Sequence, residues 1–124
     1  MSKRYLTYLA GPYSHPSPAV QEGRYILLTQ AAGWLMNARG WNVFSPITHS
    51  HPLHKHADMR GDWAFWKKVD TEYVKLSKRI VVLTLPGWDK SVGVTAELKI
   101  ARRLGLPVLF LKQTKRGYRL RKTP

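Results

Sequence analysis

The sequence contains no cysteine among its 124 residues. This absence excludes disulfide bonds, a thiolate nucleophile and zinc sites with cysteine ligands. A chain without cysteine fits a reducing compartment, and we expect a cytoplasmic protein, although an exported protein can also lack cysteine.

Long apolar runs are absent as well. No stretch approaches the roughly 18 apolar residues of a transmembrane helix, so we expect neither a membrane span nor a membrane partner. The basic N-terminus has only a few apolar residues before Gly11-Pro12, which is shorter than the apolar region of a signal peptide.

The two common nucleotide-binding loops are also missing. The segment after Gly11-Pro12 lacks the Lys-Ser/Thr ending of a P-loop, and no GxGxxG motif occurs. The sequence therefore gives no support for a bound dinucleotide, and we expect no cofactor.

Positive charge is the unusual global feature of the chain. Lys and Arg number 21 against 7 Asp and Glu, a formal net charge of +14. Such a field attracts polyanions, and it equally attracts small phosphorylated substrates. Residues 112–124 carry six basic side chains and no acid, so we expect a basic tail after a single domain at residues 1–111. The tail is either a solvated end or an edge strand through Tyr118 and Leu120.

Hydrophobic periodicity predicts strands and helices that alternate along the chain. Strands are predicted at residues 5–10, 41–44, 79–85 and 107–111, and helices at 62–76, at 92–104 and in a first segment that ends at Gly40. The run 79–85 is apolar on both alternations, which is typical of a parallel strand covered on both faces. The order predicts an α/β fold with a three-layer, mostly parallel, Rossmann- or flavodoxin-like sheet.

Residues 45–60 show no apolar period and contain two prolines, which predicts a long loop. Four histidines lie in it: His49, His51, His54 and His56. Their spacing is loose for zinc, and we predict no metal site. Two interpretations stay open, a loop over the ligand in which His49 or His51 hydrogen-bonds the base, and plain surface histidines.

Three polar segments follow predicted parallel strands, namely Gly11-Pro12-Tyr13, Ser45-Pro46 and residues 86–91. Ligands of such sheets bind outside the carboxyl ends of the strands, so we expect the segments to converge on one site. Their backbone N–H groups and hydroxyls are suited to phosphate or sugar, although any strand-to-helix turn favours Gly, Pro and Ser.

Glu97 is the candidate for chemistry at that edge. Ser91 is a suitable N-cap for the helix that follows, which places Glu97 in its second turn. Glu97 shares a face with Ile100 and Ala101, and this face must pack on the sheet. An inward carboxylate is costly, but a helix N-terminus offsets part of the cost and favours the ionised form.

Two interpretations of Glu97 follow from the pattern. It either closes the helix end by pairing with Arg24 or Arg39, or it serves a ligand site. Gly93, in the first helical turn, favours the second because glycine weakens a helix and allows backbone to approach a ligand closely.

Several residues together carry a resemblance to a known family. Residues 8–12 (YLAGP) end the first strand, Asp70 lies in a central helix, and Ser91 stands six residues before Glu97. In these features the chain closely resembles the nucleoside 2-deoxyribosyltransferase superfamily, which includes the nucleoside 5′-monophosphate N-glycosidases. The resemblance covers roughly residues 5–111 and is closest to small members with a GP(Y/F) first loop and a GWxxSxGxxxE motif.

The resemblance implies a role for each matching residue. Glu97 would be the nucleophile that forms a glycosyl ester, Tyr8 would orient it through a hydrogen bond, and Asp70 would contact the sugar hydroxyls. The sugar or its 5′-phosphate would contact Gly11, Tyr13, Ser14 and Ser91. We add Pro12 and Ser45 as binding candidates because they lie in the same edge segments, and Gly93 because glycine in the first helical turn allows close approach of a ligand.

The resemblance also bears on the type of reaction. In the transferases an aspartate six residues before the catalytic glutamate contacts the base, whereas Ser91 has that position here, as in the monophosphate hydrolases. Asp89 lies eight residues before Glu97, and we keep it with Trp88 as a candidate for contact to the base. Active sites of this superfamily are completed by a neighbouring subunit, which implies a homodimer or larger assembly.

The sequence thus predicts cleavage of the N-glycosidic bond of a nucleoside or nucleoside 5′-monophosphate, by hydrolysis or base exchange. Trp63 and Trp66, three residues apart on a predicted helix, are expected in the core rather than on the base. Two other functions stay open: a non-catalytic nucleotide sensor on the same fold, and a basic accessory protein that binds nucleic acid.

Overall fold

The sheet consists of five strands, four of them parallel. In the computed structural model, which describes residues 5–59 and 62–124, they are β1 (Leu6–Ala10), β2 (Asn42–Phe44), β3 (Arg79–Leu83), β4 (Val108–Thr114) and β5 (Gly117–Arg121). Their order is β2-β1-β3-β4-β5, and only β5 runs antiparallel to its neighbour. The helices are α1 (Pro18–Arg39), α2 (Pro46–Ala57), α3 (Trp63–Leu76) and α4 (Val92–Arg103), with a 3₁₀ turn at Trp88–Lys90. This is the predicted α/β Rossmann-like fold.

The central strand β3 is buried on both faces, as its continuous apolar sequence predicts. Ile80 and Val82 face one helical layer, and Val81 and Leu83 face the other, with all four side chains essentially inaccessible. Full burial of each such side chain contributes about 1.5–3 kcal/mol to folding. The central strands therefore hold the segments at their carboxyl ends in place.

The two helical layers pack on opposite faces of the sheet. On one face α1 contributes Leu28, Ala31 and Leu35 to the core. On the other face α3 and α4 contribute a second cluster, which includes Val74 and Leu98. The second cluster lies between α4 and the sheet, and it therefore sets the position of Glu97 relative to the strands.

Helix caps set where the elements begin and end. The Oγ of Ser91 accepts a hydrogen bond from the backbone N–H of Val94 at 3.2 Å, which confirms Ser91 as the N-cap of α4. Gly40 ends α1 at a φ of +67°, a left-handed conformation that glycine adopts without cost.

The predicted loop at residues 45–60 is wrong over most of its length, because Pro46–Ala57 is helix α2. Pro46 occupies the first helical position, where the missing N–H is not needed, and Pro52 lies in the helix interior, which is rare. The helix buries only Pro46 and Ser50, so no apolar stripe reveals its period. The end of the predicted loop, Arg60, lies outside the described residues.

The basic C-terminal segment contributes to the sheet. The strand β4 continues to Thr114, and β5 pairs with it from Gly117 onward, so the edge-strand alternative is confirmed. Tyr118 packs on Trp34 of α1 with ring centroids 5.0 Å apart. Within residues 5–59 and 62–124, no helix is long and apolar enough to cross a bilayer.

Candidate active site

A cavity of about 690 Å³ opens at the carboxyl edge of the parallel strands. Its volume lies within the range of about 300–1,000 Å³ that small-molecule sites occupy. Lining residues come from the loops after β1 and β3 and from all four helices. They include Gly11, Pro12, Tyr13, Ser14, Gln21, Arg24, Asp70, Lys90, Ser91, Gly93 and Glu97. The predicted convergence of the strand ends is therefore observed for the segments after β1, β2 and β3, with Pro46 lining the cavity from the segment after β2.

Glu97 lies in this cavity and is 6% exposed. The hydroxyl of the fully buried Tyr8, on β1, donates a hydrogen bond to Glu97 Oε2. The two residues are 89 positions apart in the chain. The contact forms because α4 packs on the face of the sheet to which the Tyr8 side chain points. Tyr8 thus restrains the orientation of the carboxyl group.

Asp70 contributes a second carboxyl group to the same cavity. It lies on the inner face of α3 and is 9% exposed. Burial raises the pKa of Asp70 from its ordinary 3.8 to about 7. Two acids with altered pKa values in one cleft are a feature typical of functional sites.

The protonation of Glu97 differs from the ionised form that its helix position suggested. Burial raises the pKa of Glu97 to about 8; the hydrogen bond from Tyr8 acts to lower it, and the nearby Asp70 acts to raise it. Glu97 lies in the second turn of α4, and the helix N-terminus does not compensate for removal of the carboxylate from water. Burial also raises the pKa of Tyr8 well above its usual value, so its hydroxyl stays a donor.

The alternative in which Glu97 pairs with an arginine is wrong for both candidates. Arg24 donates to the carbonyl oxygens of Ser14 at 2.9 Å and Pro86 at 3.2 Å, and more weakly to that of Tyr13 at 3.3 Å. Arg39 lies over the Trp41 ring, 5.9 Å from its centroid. Arg24 therefore ties the loop after β1 to the turn after β3, the two segments that frame the cavity.

Arg24→Ala is expected to loosen both segments and to lower the free energy of unfolding by about 1 kcal/mol, since three charge-assisted hydrogen bonds at a partly exposed site are removed. Hydrogen exchange should become faster at the backbone amides of residues 13–14 and 87–91. Arg103→Ala, an exposed arginine at the end of α4, is the matched control. Unchanged protection of both segments in Arg24→Ala would contradict the tie.

The two glycines of the site, Gly11 and Gly93, differ in the space that surrounds them. A Cβ at Gly11, directly after β1, would lie 2.5 Å from Leu28 Cδ2, so a larger residue there would force the buried Leu28 side chain of α1 to shift. A Cβ at Gly93 would meet Trp63 only at 3.5 Å, an ordinary contact, so packing within the chain does not explain Gly93. Its location in the cavity wall is compatible with the close ligand approach that the sequence suggested.

Several predicted binding residues do not line the cavity. Ser45 is buried and accepts a hydrogen bond from Thr48 Oγ1 at 2.9 Å. His49 packs on Phe44, with ring centroids 5.9 Å apart. Since α2 is a helix, its side chains are distributed around an axis instead of covering the site as a loop would.

Trp88 and Asp89 point away from the predicted site. They line a separate shallow hollow of about 440 Å³ between α4 and the end of the sheet. The Trp88 ring packs on Phe110, with centroids 5.5 Å apart. A contact of either side chain with a base in the main cavity is not supported by this placement.

His51 does not line the cavity, but it contacts a residue that does. It is hydrogen-bonded to Tyr13, which lines the cavity, and to Glu22 of α1. His54 lies against Trp66 and lines the cavity itself. In the described part of the chain, no group of three or more His, Asp or Glu side chains gathers as a metal site would require.

Sequence reasoning missed part of the wall. These residues are Gln21, Arg24, Ile47, Ser50, His54, Trp63, Trp66 and Val92. Gln21 and Arg24, one turn apart on α1, could have been found from their spacing and proximity to the first loop. The α2 residues could not, because the helix itself was not predicted. Trp66 is buried as expected for a core residue, but Trp63 is 37% exposed at the cavity.

The fold and cavity define the class: a Rossmann-like α/β protein with two buried carboxyl groups in a ligand-sized site at the carboxyl edge of its sheet. The chain belongs to the family described as a domain of unknown function, DUF1937, which matches residues 5–113. Among curated proteins, none matches the chain.

Proposed function

We propose that this protein cleaves the N-glycosidic bond of a nucleoside or nucleoside 5′-monophosphate, with Glu97 as the nucleophile. The observation that carries the proposal is the hydrogen bond from Tyr8 to Glu97 within a cavity that also holds Asp70. A carboxyl group held in one orientation by a hydrogen bond is suited to the nucleophile role that a retaining glycosidase requires.

The reaction proceeds in two displacements. The Glu97 carboxylate attacks the anomeric carbon, a C–O bond forms, and the C–N bond breaks with its electron pair leaving on the base, which takes up a proton. Water then attacks the glycosyl ester, which gives the free sugar or sugar phosphate and restores the carboxylate. Asp70, on the neighbouring helix α3, hydrogen-bonds a sugar hydroxyl.

Burial of Glu97 serves this chemistry in the transition state. A carboxylate in a site of low polarity is poorly stabilised until positive charge develops on the sugar ring beside it. The interaction is therefore stronger in the transition state than with bound substrate, which is the condition for catalysis. Because the pKa of Glu97 is about 8, the reaction starts from its ionised fraction, and the Tyr8 hydroxyl stabilises that anion by donating to it.

The wall of the cavity offers groups for each part of a nucleotide. Ser14, Lys90 and Ser91 provide hydroxyl and ammonium donors for the phosphate, and the net charge of +14 favours the approach of a dianion. Trp63, 37% exposed, and Val92, 70% exposed, form an apolar rim suited to a base or a partner subunit.

Hydrolysis of monophosphates is the favoured reaction, because Ser91 stands where the related transferases carry an aspartate. A homodimer would cover the apolar rim and complete the site. The test is incubation with a panel of nucleosides and their 5′-monophosphates, with and without an acceptor base, followed by chromatography of the free base. Absence of release and of exchange from every member would contradict the proposal.

A nucleotide sensor on the same fold is the second candidate, since the same cavity could bind without turnover. It predicts a rise in melting temperature with nucleotide but no base release, and an equal rise in Glu97→Gln. Base release by the wild-type protein would exclude this alternative.

A nucleic-acid-binding role is favoured by one observation, a basic face formed by β4 and β5. The register places Lys112 opposite Arg119 and Phe110 opposite Arg121, so the three exposed basic side chains lie on the α4 side of the sheet. Arg102 and Lys122 line the shallow hollow on that side.

If the basic face binds nucleic acid, affinity for a labelled single-stranded oligonucleotide should fall linearly with salt on a log–log plot. Replacing Arg119 and Arg121 together by Glu should lower the slope by about 1.4, about 0.7 for each phosphate that the variant no longer neutralises. The double variant Lys67→Glu/Lys68→Glu, on the exposed side of α3, makes the same charge change elsewhere. Equal slopes for the two variants would contradict a specific role for the β4–β5 face.

A further inference from the structure

Three side chains from separate segments form a hydrogen-bonded chain beside the cavity. The Tyr13 hydroxyl lies 2.8 Å from His51 Nδ1, and His51 Nε2 lies 2.6 Å from Glu22 Oε2. Tyr13 lines the cavity, the His51 side chain is 11% exposed, and the Glu22 side chain is 43% exposed. This series of hydrogen bonds therefore connects the cavity wall to solvent through the imidazole of His51.

The imidazole of His51 is held in one orientation. Tyr25 stacks on one face of the ring, with centroids 4.3 Å apart and planes inclined by 22°. Tyr13 meets the ring edge-on at 82°. With both nitrogens hydrogen-bonded and one face covered, the ring cannot rotate without breaking the hydrogen bonds and the stacking together.

The hydrogen-bond roles depend on the proton content of His51. In neutral His51, the Glu22 carboxylate accepts from Nε2–H, so Nδ1 must accept the hydroxyl proton of Tyr13. In doubly protonated His51, Nδ1–H donates to Tyr13 Oη, and the Tyr13 O–H is free to donate to a ligand. Burial, together with the nearby Glu22, raises the pKa of Tyr13, which keeps its hydroxyl protonated in both states.

We propose that Tyr13 is the acid that protonates the departing base, and that His51 and Glu22 are positioning residues that resupply its proton. The proposal rests on the proposed function. As the C–N bond breaks and its electron pair moves to the base, Tyr13 Oη–H gives its proton to the base and takes the Nδ1 proton of His51. Glu22 retains its negative charge and stabilises the imidazolium beforehand. When water attacks the glycosyl ester, its proton returns through Tyr13 to His51.

The structure supports a donor distinct from the nucleophile pair. The Tyr8 hydroxyl is committed to Glu97, and Glu97 must be ionised to attack, so neither can protonate the base. Tyr13 belongs to the loop after β1, in the wall of the same cavity, and Arg24 holds the carbonyls of this loop. A fixed loop and a fixed imidazole hold the Tyr13 hydroxyl in one position at the cavity wall, as proton transfer by a positioned side chain requires.

The experiment compares two leaving groups on the same sugar phosphate. One substrate is the nucleoside monophosphate found by the panel, whose base needs a proton to leave. The other is the corresponding 4-nitrophenyl glycoside, whose phenolate leaves without one. Tyr13→Phe should lower kcat/KM for the nucleotide by about 100-fold or more and for the nitrophenyl glycoside by less than about fivefold. Glu22→Gln and His51→Gln should show the same selectivity, with losses of about tenfold on the nucleotide.

The controls separate this proposal from the proposed function. His56→Gln makes the same change at an exposed position of α2 and should leave both rates unchanged. Cleavage of neither substrate by the wild-type protein would remove the proposed function and the relay with it. Wild-type cleavage with equal losses on both substrates in Tyr13→Phe would overturn the relay while the function stands. Because Glu22 is half-exposed, Glu22→Gln supplies the same comparison if Tyr13→Phe is unstable.

Discussion

Glu97→Gln is expected to lower the rate of base release by roughly 10³-fold or more, because an amide cannot attack the anomeric carbon as a carboxylate does. The substitution preserves size, and the Tyr8 hydroxyl can still donate to the amide oxygen. The cavity should therefore keep its shape and still bind the substrate. Chromatography of the free base under single-turnover conditions measures the chemical step directly.

Glu72→Gln is the matched control for this variant, since Glu72 lies on the exposed side of α3 and undergoes the same change. It should release base at the wild-type rate. Glu97→Gln should retain the increase in melting temperature that the nucleotide produces, which separates a loss of chemistry from a loss of binding. Base release by Glu97→Gln at the wild-type rate would exclude Glu97 as the nucleophile.

The second large effect concerns stability. The pKa values of Glu97, about 8, and Asp70, about 7, exceed the ordinary values of 4.5 and 3.8. A group of this kind stabilises the fold fully below its ordinary pKa, and the contribution is lost as pH rises through the folded value. The free energy of unfolding of the wild-type protein should therefore fall between about pH 4 and pH 8.

Glu97→Gln should remove much of this fall, because its side chain carries no charge at any pH in the window. At pH 8 the variant should be more stable than the wild-type protein, by on the order of a few kcal/mol. Urea unfolding at a series of pH values measures the difference. Glu72→Gln should run parallel to the wild-type curve, and a Glu97→Gln curve that also runs parallel would contradict the assigned burial cost.

These two predictions describe opposite effects of one side chain. A buried carboxyl lowers the stability of the folded protein at neutral pH and, if the proposed function holds, supplies the nucleophile. A residue retained only for packing would show no such opposition.

The fold could be predicted from the sequence to a large extent. The apolar run at residues 79–85 indicates a strand covered on both faces, and β3 is buried in that way. Ser91 indicates the start of α4 through its short-range cap, which places Glu97 on the inner face. Such features depend on neighbours within a few residues, and local sequence therefore reveals them.

The site could be predicted only in part. The segments after β1 and β3 line the cavity as expected, because parallel strands end at one edge. The prediction of a loop after β2 was wrong. The helix α2 begins with a proline at its first position, where proline is tolerated, and it has almost no apolar stripe. As a result the wall that α2 contributes, including Ser50 and His54, could not be found.

The sequence by itself determined the alternation of strands and helices and the presence of an acid on the inner face of α4. Only the tertiary structure decided the partners of that acid. Tyr8 lies 89 residues from Glu97, and Arg24, a candidate partner by charge, instead bonds the loop carbonyls. Long-range packing brings distant side chains together and sets their burial, and burial, more than the local helix position, controls the charge of Glu97.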